Sequence, residues 1–213
     1  MLSNSPNTCF MFLVRHGATA LNRANPPLLQ GRRRDHELSK EGLWQARKTS
    51  KLLSDFKINK VYSSPLLRAR QTADEIAKPY QLDVQIVEDL VEVDVGNWEG
   101  KSWADIERST PEAYQAFMSD ASVAPYHGGE NLLTVKRRAV PALESLMAEN
   151  VGQRIAVVAH NVVNRCYLTK LLGLPLRQYR SVPQDNCGLN VTRYRNGTVK
   201  LLVVNAILHL DGQ

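Results

Sequence analysis

Arg15, His16 and Gly17 stand together where an apolar run gives way to a polar, turn-rich stretch. The arginine offers a rigid fork of donors that matches a phosphate or a carboxylate. A neutral imidazole beside it is a competent nucleophile near pH 7. A second histidine, His160, also follows an apolar run, and Arg68 comes just after Ser63-Ser64-Pro65. Two arginines and two histidines gathered at one place would make a cationic pocket that a phosphate compensates. The tripeptide alone also fits a strand-end arginine in a surface ion pair and a histidine bonded into a loop. The elements that carry these residues therefore decide.

Cys9 to Val14 reads as a short buried strand, Val61 to Ser63 as another, and Arg154 to Ala159 as the clearest in the chain. Parallel strands bring their C-terminal ends to one edge, where open α/β folds bind ligands. His16, His160 and Arg68 would then share a rim, with Arg68 near a helix start that itself attracts anions. Ser39 caps a helix to about Phe56, and Pro65 is expected in the first turn of a helix ending near Ala77. Val84 to Val87 alternates like an edge strand, whereas Leu90 to Gly100 is irregular. Helical signals return over Trp103 to Arg108, Pro111 to Met118, Asn131 to Asn150 and Val162 to Leu172. Leu189 to Tyr194 and Val199 to Val204 flank Asn196-Gly197 as a hairpin. The pattern predicts an α/β fold: a three-layer αβα sandwich whose mixed, mainly parallel sheet ends in a C-terminal β-hairpin. One domain is expected over 1–213, with a flexible segment at 1–8 and a cap-like or lid-like segment at about 100–130.

With 213 residues, 43% of them hydrophobic, the chain has the composition of a soluble globular protein. No apolar stretch approaches the ~20 residues that span a bilayer, and the polar start does not resemble a secretory signal. No membrane association is expected. Cys9, Cys166 and Cys187 are odd in number and widely spaced, which suits free thiols in a cytoplasmic protein. The net charge of +6 includes the clusters Arg32-Arg33-Arg34 and Lys136-Arg137-Arg138. Each lies beside acidic residues and no aromatic interleaving accompanies them, so solvated faces are expected and no nucleic acid partner. A modest positive field would draw in small anionic metabolites. An edge strand and an interface strand look alike in sequence, which leaves a homo-oligomer open.

Arg15-His16-Gly17, the run Ser63 to Ala73, Leu90-Val91-Glu92 with Gly96 to Gly100, and Val158-Ala159-His160 follow one another in a familiar order. In these motifs, from about Phe10 to Val204, the chain resembles the histidine phosphatase superfamily, also called phosphoglycerate mutase-like. The resemblance implies that His16 becomes phosphohistidine, that Arg15, Arg68 and His160 bind the phosphoryl group, and that Glu92 protonates the leaving group. Without it, Glu92 reads as a solvated loop carboxylate. Asn22, Gln30 and Gly31 match positions that line the phosphate pocket in relatives. Two positions depart from the pattern. Ala18 stands where relatives often carry Glu or Gln, so that a polar contact would be lost, and Asn161 stands where Gly is usual, which would either narrow the pocket or offer an amide to substrate. The longer basic insertion of the cofactor-dependent mutases is missing, which implies the phosphatase branch, with water as acceptor. The implied function is metal-independent phosphomonoester hydrolysis on a small phosphorylated metabolite, without a cofactor. The alternatives are a phosphoglycerate mutase-type phosphotransferase and a non-catalytic phospholigand-binding protein. Glu99, Asp94 and Asp105 are expected to be structural acids, Arg70 an exposed helix residue and Trp98 a packing residue. His36, His127 and His209 have no evident partner.

Overall fold

The computed structural model describes residues 6–211. Six strands, β1 (Thr8–Arg15), β2 (Lys60–Ser63), β3 (Val84–Ile86), β4 (Arg154–Ala159), β5 (Leu189–Arg195) and β6 (Thr198–Ala206), form one sheet in the order β3-β2-β4-β1-β5-β6. Seven helices accompany them: α1 (Ala20–Arg23), α2 (Lys40–Leu53), α3 (Leu67–Ala77), α4 (Trp103–Ser109), α5 (Pro111–Ser119), α6 (Leu132–Glu149) and α7 (Asn161–Leu171). The strands from β3 to β1 pair in parallel, and β5 and β6 close the sheet antiparallel. The mixed, mainly parallel sheet with its terminal hairpin is as the sequence predicts.

Period-two alternation explains the layers. Cys9, Met11 and Leu13 of β1 and Ile155, Val157 and Ala159 of β4 join one apolar cluster with residues of α4, α5, α6 and α7. Phe10, Phe12 and Val14, with Ala156 and Val158, face the other way onto Leu53 of α2 and Ala69, Ala73 and Ile76 of α3. A continuous apolar strand is what a sheet covered on both faces requires. At the hairpin, Asn196 and Gly197 both take positive φ, 50° and 77°, the geometry of a tight two-residue turn.

Several local expectations shift. Of the segment expected to be flexible, residues 1–5 lie outside those described, while Thr8 is buried and already paired with Arg195 in β1 and β5. Helix α3 begins at Leu67, two residues beyond Pro65. Leu66 stays extended at ψ 139°, and the first helical N–H is accepted by Asp35 Oδ1 at 2.7 Å from a distant loop. Leu176–Ser181 forms a 3₁₀ segment where the sequence shows no period. Helix α2 and the loop after β1 meet backbone to backbone. A Cβ on Gly42 would lie 2.0 Å from the Ala18 carbonyl oxygen, and one on Gly17 2.5 Å from that of Gly42. Only glycine permits this approach.

Arg32, Arg33, Arg34 and Arg137 are exposed, as expected of solvated faces, but several arginines of the clusters are also paired. Arg33 Nε lies 2.7 Å from Asp94 Oδ1, and Arg32 reaches the same carboxylate at 3.5 Å. Arg138 donates to the carbonyls of Asp89, Val91 and Glu92 and pairs with Glu130 at 3.3 Å. Its long reach across the chain, which local sequence does not reveal, turns an expected surface charge into a clamp. His209 also has a partner, Thr49 Oγ1 at 2.9 Å. His127 is exposed, and its carbonyl accepts from Asn97 N–H. Among the described residues no helix is long and apolar enough to cross a membrane.

Candidate active site

Strands β2, β4 and β1 are sheet neighbours, so Ser64, His160 and His16, each one residue past its strand, converge on one edge. The backbone holds them there: His16 N–H donates to the Ala159 carbonyl at 3.0 Å and Ser64 N–H to that of Val158 at 3.0 Å. The two imidazoles lie 5.1 Å apart between ring centres.

His16 is 3% exposed, and its tautomer follows from its neighbours. Nδ1 is 2.8 Å from the Gly17 carbonyl oxygen, which only accepts; Arg68 Nε, which only donates, is 3.3 Å from Nε2. The proton therefore sits on Nδ1, and Nε2 presents its lone pair. Burial, followed by the charges of Arg68 and Arg15, pushes the His16 pKa well below the ordinary histidine value. The ring is neutral. His160, fully buried, is likewise held well below by burial and then by Arg68; its Nε2 is 2.7 Å from Ser64 Oγ, and its Nδ1 has no partner in the chain.

Arg68 is 0% exposed although it is an arginine. Its Nη2 donates to the Gly31 carbonyl at 2.8 Å and its Nη1 lies 4.0 Å from Asp35. Gly31 thereby supports Arg68 rather than lining the cleft, and its own N–H donates to Glu99 Oε1 at 2.8 Å. Arg15 donates through Nη1 to the Gln184 carbonyl at 2.6 Å, while its Nε has no partner in the chain. Burial lowers the Arg15 pKa to about 10, still fully charged at neutral pH.

Glu92 is 2% exposed, not the solvated carboxylate that its loop suggests. Its oxygens accept from Val93 N–H at 2.9 Å and from Val162 N–H, in the first turn of α7, at 3.2 Å. Burial still dominates and raises its pKa above the usual carboxylate value. Arg138, gripping the carbonyls of Val91 and Glu92, fixes the loop that presents it.

Arg15, His16, Asn22, Gln30, Glu92 and Asn161 line one cleft of about 610 Å³, a size common for small-molecule sites. Arg68 and His160 back His16 from the interior. Asn22 caps α1 with Thr19, and Gln30 Oε1 accepts from Thr19 Oγ1 at 2.8 Å, leaving Gln30 Nε2 buried without a partner in the chain. Beside Ala18, the polar side chain comes from α2: Gln45 Oε1 accepts the Ala18 N–H at 2.9 Å. Trp98, fully buried, packs edge-on against Phe117 and Tyr126, seating α4 and α5 beside the cleft. Among the described residues no cluster of three His, Cys, Asp or Glu could hold a metal.

Four supporting residues carry no sequence signal. Asn186 Nδ2 donates to the His16 carbonyl at 3.0 Å. Gln184, Asn164 and Asn190 form a buried amide network, and Asn190 Nδ2 also donates to the Leu13 carbonyl at 3.0 Å. This network anchors the Gln184 carbonyl that Arg15 holds. Asn190→Ala is expected to lower the unfolding free energy by about 2–3 kcal/mol, because several partners lose their bonds at once. Urea midpoints at constant slope would measure it; a loss under about 0.5 kcal/mol would remove the network from the account.

A family model described as "Histidine phosphatase superfamily (branch 1)" matches residues 11–207. Phosphoserine phosphatase 1 of Hydrogenobacter thermophilus is 30% identical over 200 residues, covering 94% of this chain and 93% of that protein. Among solved structures, a phosphoserine phosphatase variant from Entamoeba histolytica in complex with phosphoserine superposes with a TM-score of 0.84 at 26% identity, covering 95% and 99% of the two chains. Bacillus stearothermophilus YhfR superposes at 0.87 with 25% identity, covering 95% and 100%.

Proposed function

The chain belongs to the histidine phosphatase superfamily, branch 1, and is a phosphatase; on that premise we propose that it hydrolyses small phosphomonoesters through a covalent phosphohistidine on His16. The observation that carries this reading is the fixed, neutral His16, whose Nε2 lone pair is flanked by Arg68 and lies in a cleft with Arg15 and Glu92. The phosphoryl group binds against Arg15, Arg68 and His160, whose fixed positive charge and donors match the charge spread over its oxygens. Arg68 Nε turns from Nε2 to a phosphoryl oxygen, freeing the lone pair. Nε2 then forms a bond to phosphorus as the ester P–O bond breaks. Glu92, whose raised pKa on burial favours its protonated form, gives its proton to the departing oxygen. In the second half, Glu92 takes a proton from water, the water oxygen bonds to phosphorus, and the N–P bond breaks to release phosphate and restore His16. Side-chain cations carry the electrostatic load, so no metal is invoked.

Incubation with ³²P-labelled O-phosphoserine, an ester chosen because similar proteins bear that activity in their names, followed by rapid quenching tests the reading. Label on the protein that survives alkali and is lost in acid is the expected result, in chelator as without it. Turnover with no trapped label, or turnover abolished by the chelator, contradicts it.

A further inference from the structure

Arg68 is fully buried on a sparse set of contacts. The bond from its Nη2 to the Gly31 carbonyl is short, 2.8 Å. Its Nη1 lies 3.5 Å from the Arg34 carbonyl and 4.0 Å from Asp35, and its Nε lies 3.3 Å from His16 Nε2. A flexible side chain tied by one short bond keeps its orientation only where the acceptor is itself fixed. The direction of Nε therefore depends on Gly31.

Gly31 is fixed by Glu99. Its N–H donates to Glu99 Oε1 at 2.8 Å, and the neighbouring backbones are tied together, Gly100 N–H to the Leu29 carbonyl at 2.8 Å and Leu29 N–H to that of Lys101 at 2.9 Å. Little slack remains: a Cβ on Gly31 would lie 2.7 Å from the Val93 carbonyl oxygen and 2.9 Å from Glu99 Oε2. Trp98, next to Glu99, is fully buried and donates through Nε1 to Thr110 at 3.0 Å. Glu99 itself forms no ion pair among the described residues, and its Oε2 is buried with no hydrogen-bond partner in the chain. Such an orphaned oxygen is costly, so the oxygen that holds Gly31 accounts for the residue's place. Burial lowers the Arg68 pKa, and the charges of Glu92, Asp35 and Glu99 oppose that fall.

We propose that Glu99 is a positioning residue for phosphoryl transfer: acting through the N–H and carbonyl of Gly31, it aims Arg68 Nε at His16 Nε2 and at the oxygens of an incoming phosphoryl group. This rests on the phosphatase reading with His16 as nucleophile. Glu99 does not line the cleft and acts by orientation alone.

The test reads the His16 ring by ¹⁵N NMR of histidine-labelled protein, its signals assigned by their loss in His16→Ala. The charged and titratable groups around that ring are Arg68, Arg15, His160 and Glu92. Wild type should show an Nδ1–H ring that titrates well below an ordinary histidine. Glu99→Ala should raise that pKa by roughly one unit, because a cation at hydrogen-bond distance moves away. Loss of a carboxylate's charge alone would shift it downward, so the sign isolates orientation. Glu99→Asp keeps the charge but withdraws the oxygen by one carbon, and should shift the pKa upward too. Glu99→Gln keeps an acceptor for the Gly31 N–H and should not. In parallel, kcat/KM for p-nitrophenyl phosphate should fall by roughly 10–100-fold in Glu99→Ala and recover most of that loss in Glu99→Gln. The titration does not depend on the folded fraction, and where Glu99→Ala fails to fold, the Asp and Gln variants give the same contrast. A His16 titration unmoved in Glu99→Ala and Glu99→Asp, or an equal rise in Glu99→Gln, overturns the positioning role while leaving the phosphatase reading intact. Failure of wild type to hydrolyse p-nitrophenyl phosphate and O-phosphoserine alike overturns the phosphatase reading, and the positioning role with it.

Discussion

His16→Ala is expected to reduce phosphomonoester turnover by roughly 10⁴-fold or more, because the step that breaks the ester bond loses its nucleophile. The same variant should still bind inorganic phosphate, since Arg15, Arg68 and His160 remain and Arg68 is anchored independently by the Gly31 carbonyl. Two measurements therefore separate chemistry from binding: steady-state turnover of p-nitrophenyl phosphate, and the upward shift in melting temperature that phosphate induces. Turnover within tenfold of wild type would remove His16 from the covalent role. Collapse of both readouts in a protein that still melts cooperatively would show that the imidazole mainly holds the pocket together. The pH profile carries a matching expectation. Because burial and two arginines hold the His16 pKa down, kcat/KM should persist to lower pH than an ordinary histidine permits, falling only as the ring protonates.

Glu92→Gln should divide substrates by leaving group. An alkyl phosphate releases a strongly basic alkoxide and needs the proton, so its turnover should fall by roughly 10²–10⁴-fold. p-Nitrophenolate is stable as an anion, so the first half-reaction with p-nitrophenyl phosphate should survive. The second should not, since water has lost its base. The expected trace is a burst of about one p-nitrophenolate per active site, then slow release, with phosphoenzyme accumulating. Equal fractional losses on both esters with no burst would remove Glu92 from proton transfer. The sign of the pH effect follows from burial. A raised pKa keeps the carboxyl protonated further up the scale, and wild-type kcat/KM on alkyl esters declines as pH rises through that pKa. The alkaline limb should be absent when Glu92→Gln is assayed by the burst with p-nitrophenyl phosphate.

Residues whose role depends on local pattern were legible from sequence. β1 and β4 stand out as unbroken apolar runs because helices cover both faces of the sheet, and that placed His16 and His160 on one edge. Arg68 followed from its position just after β2. Glu92 came only through family resemblance: the 3₁₀ turns around it have no period, and its burial depends on Val162 N–H from α7, distant in sequence. Arg138, Gln184 and Asn186 were invisible because each acts through a backbone carbonyl that only the folded chain brings near. The start of α3 slipped past Pro65 for the same reason, its first N–H being accepted by Asp35.

The sheet order has a consequence for how such a protein can diversify. Ser64, His160 and His16 are mounted on the ends of three adjacent strands, whose register cannot slip without inverting both cores. The outer wall, from Pro26 to Leu29, Trp103, Tyr126 and Arg180, belongs to no strand. Lineage change can therefore act like an exchange of collars on a common socket. Insertions and substitutions in the surface segments re-specify which molecule is admitted, while the strand-end residues stay fixed.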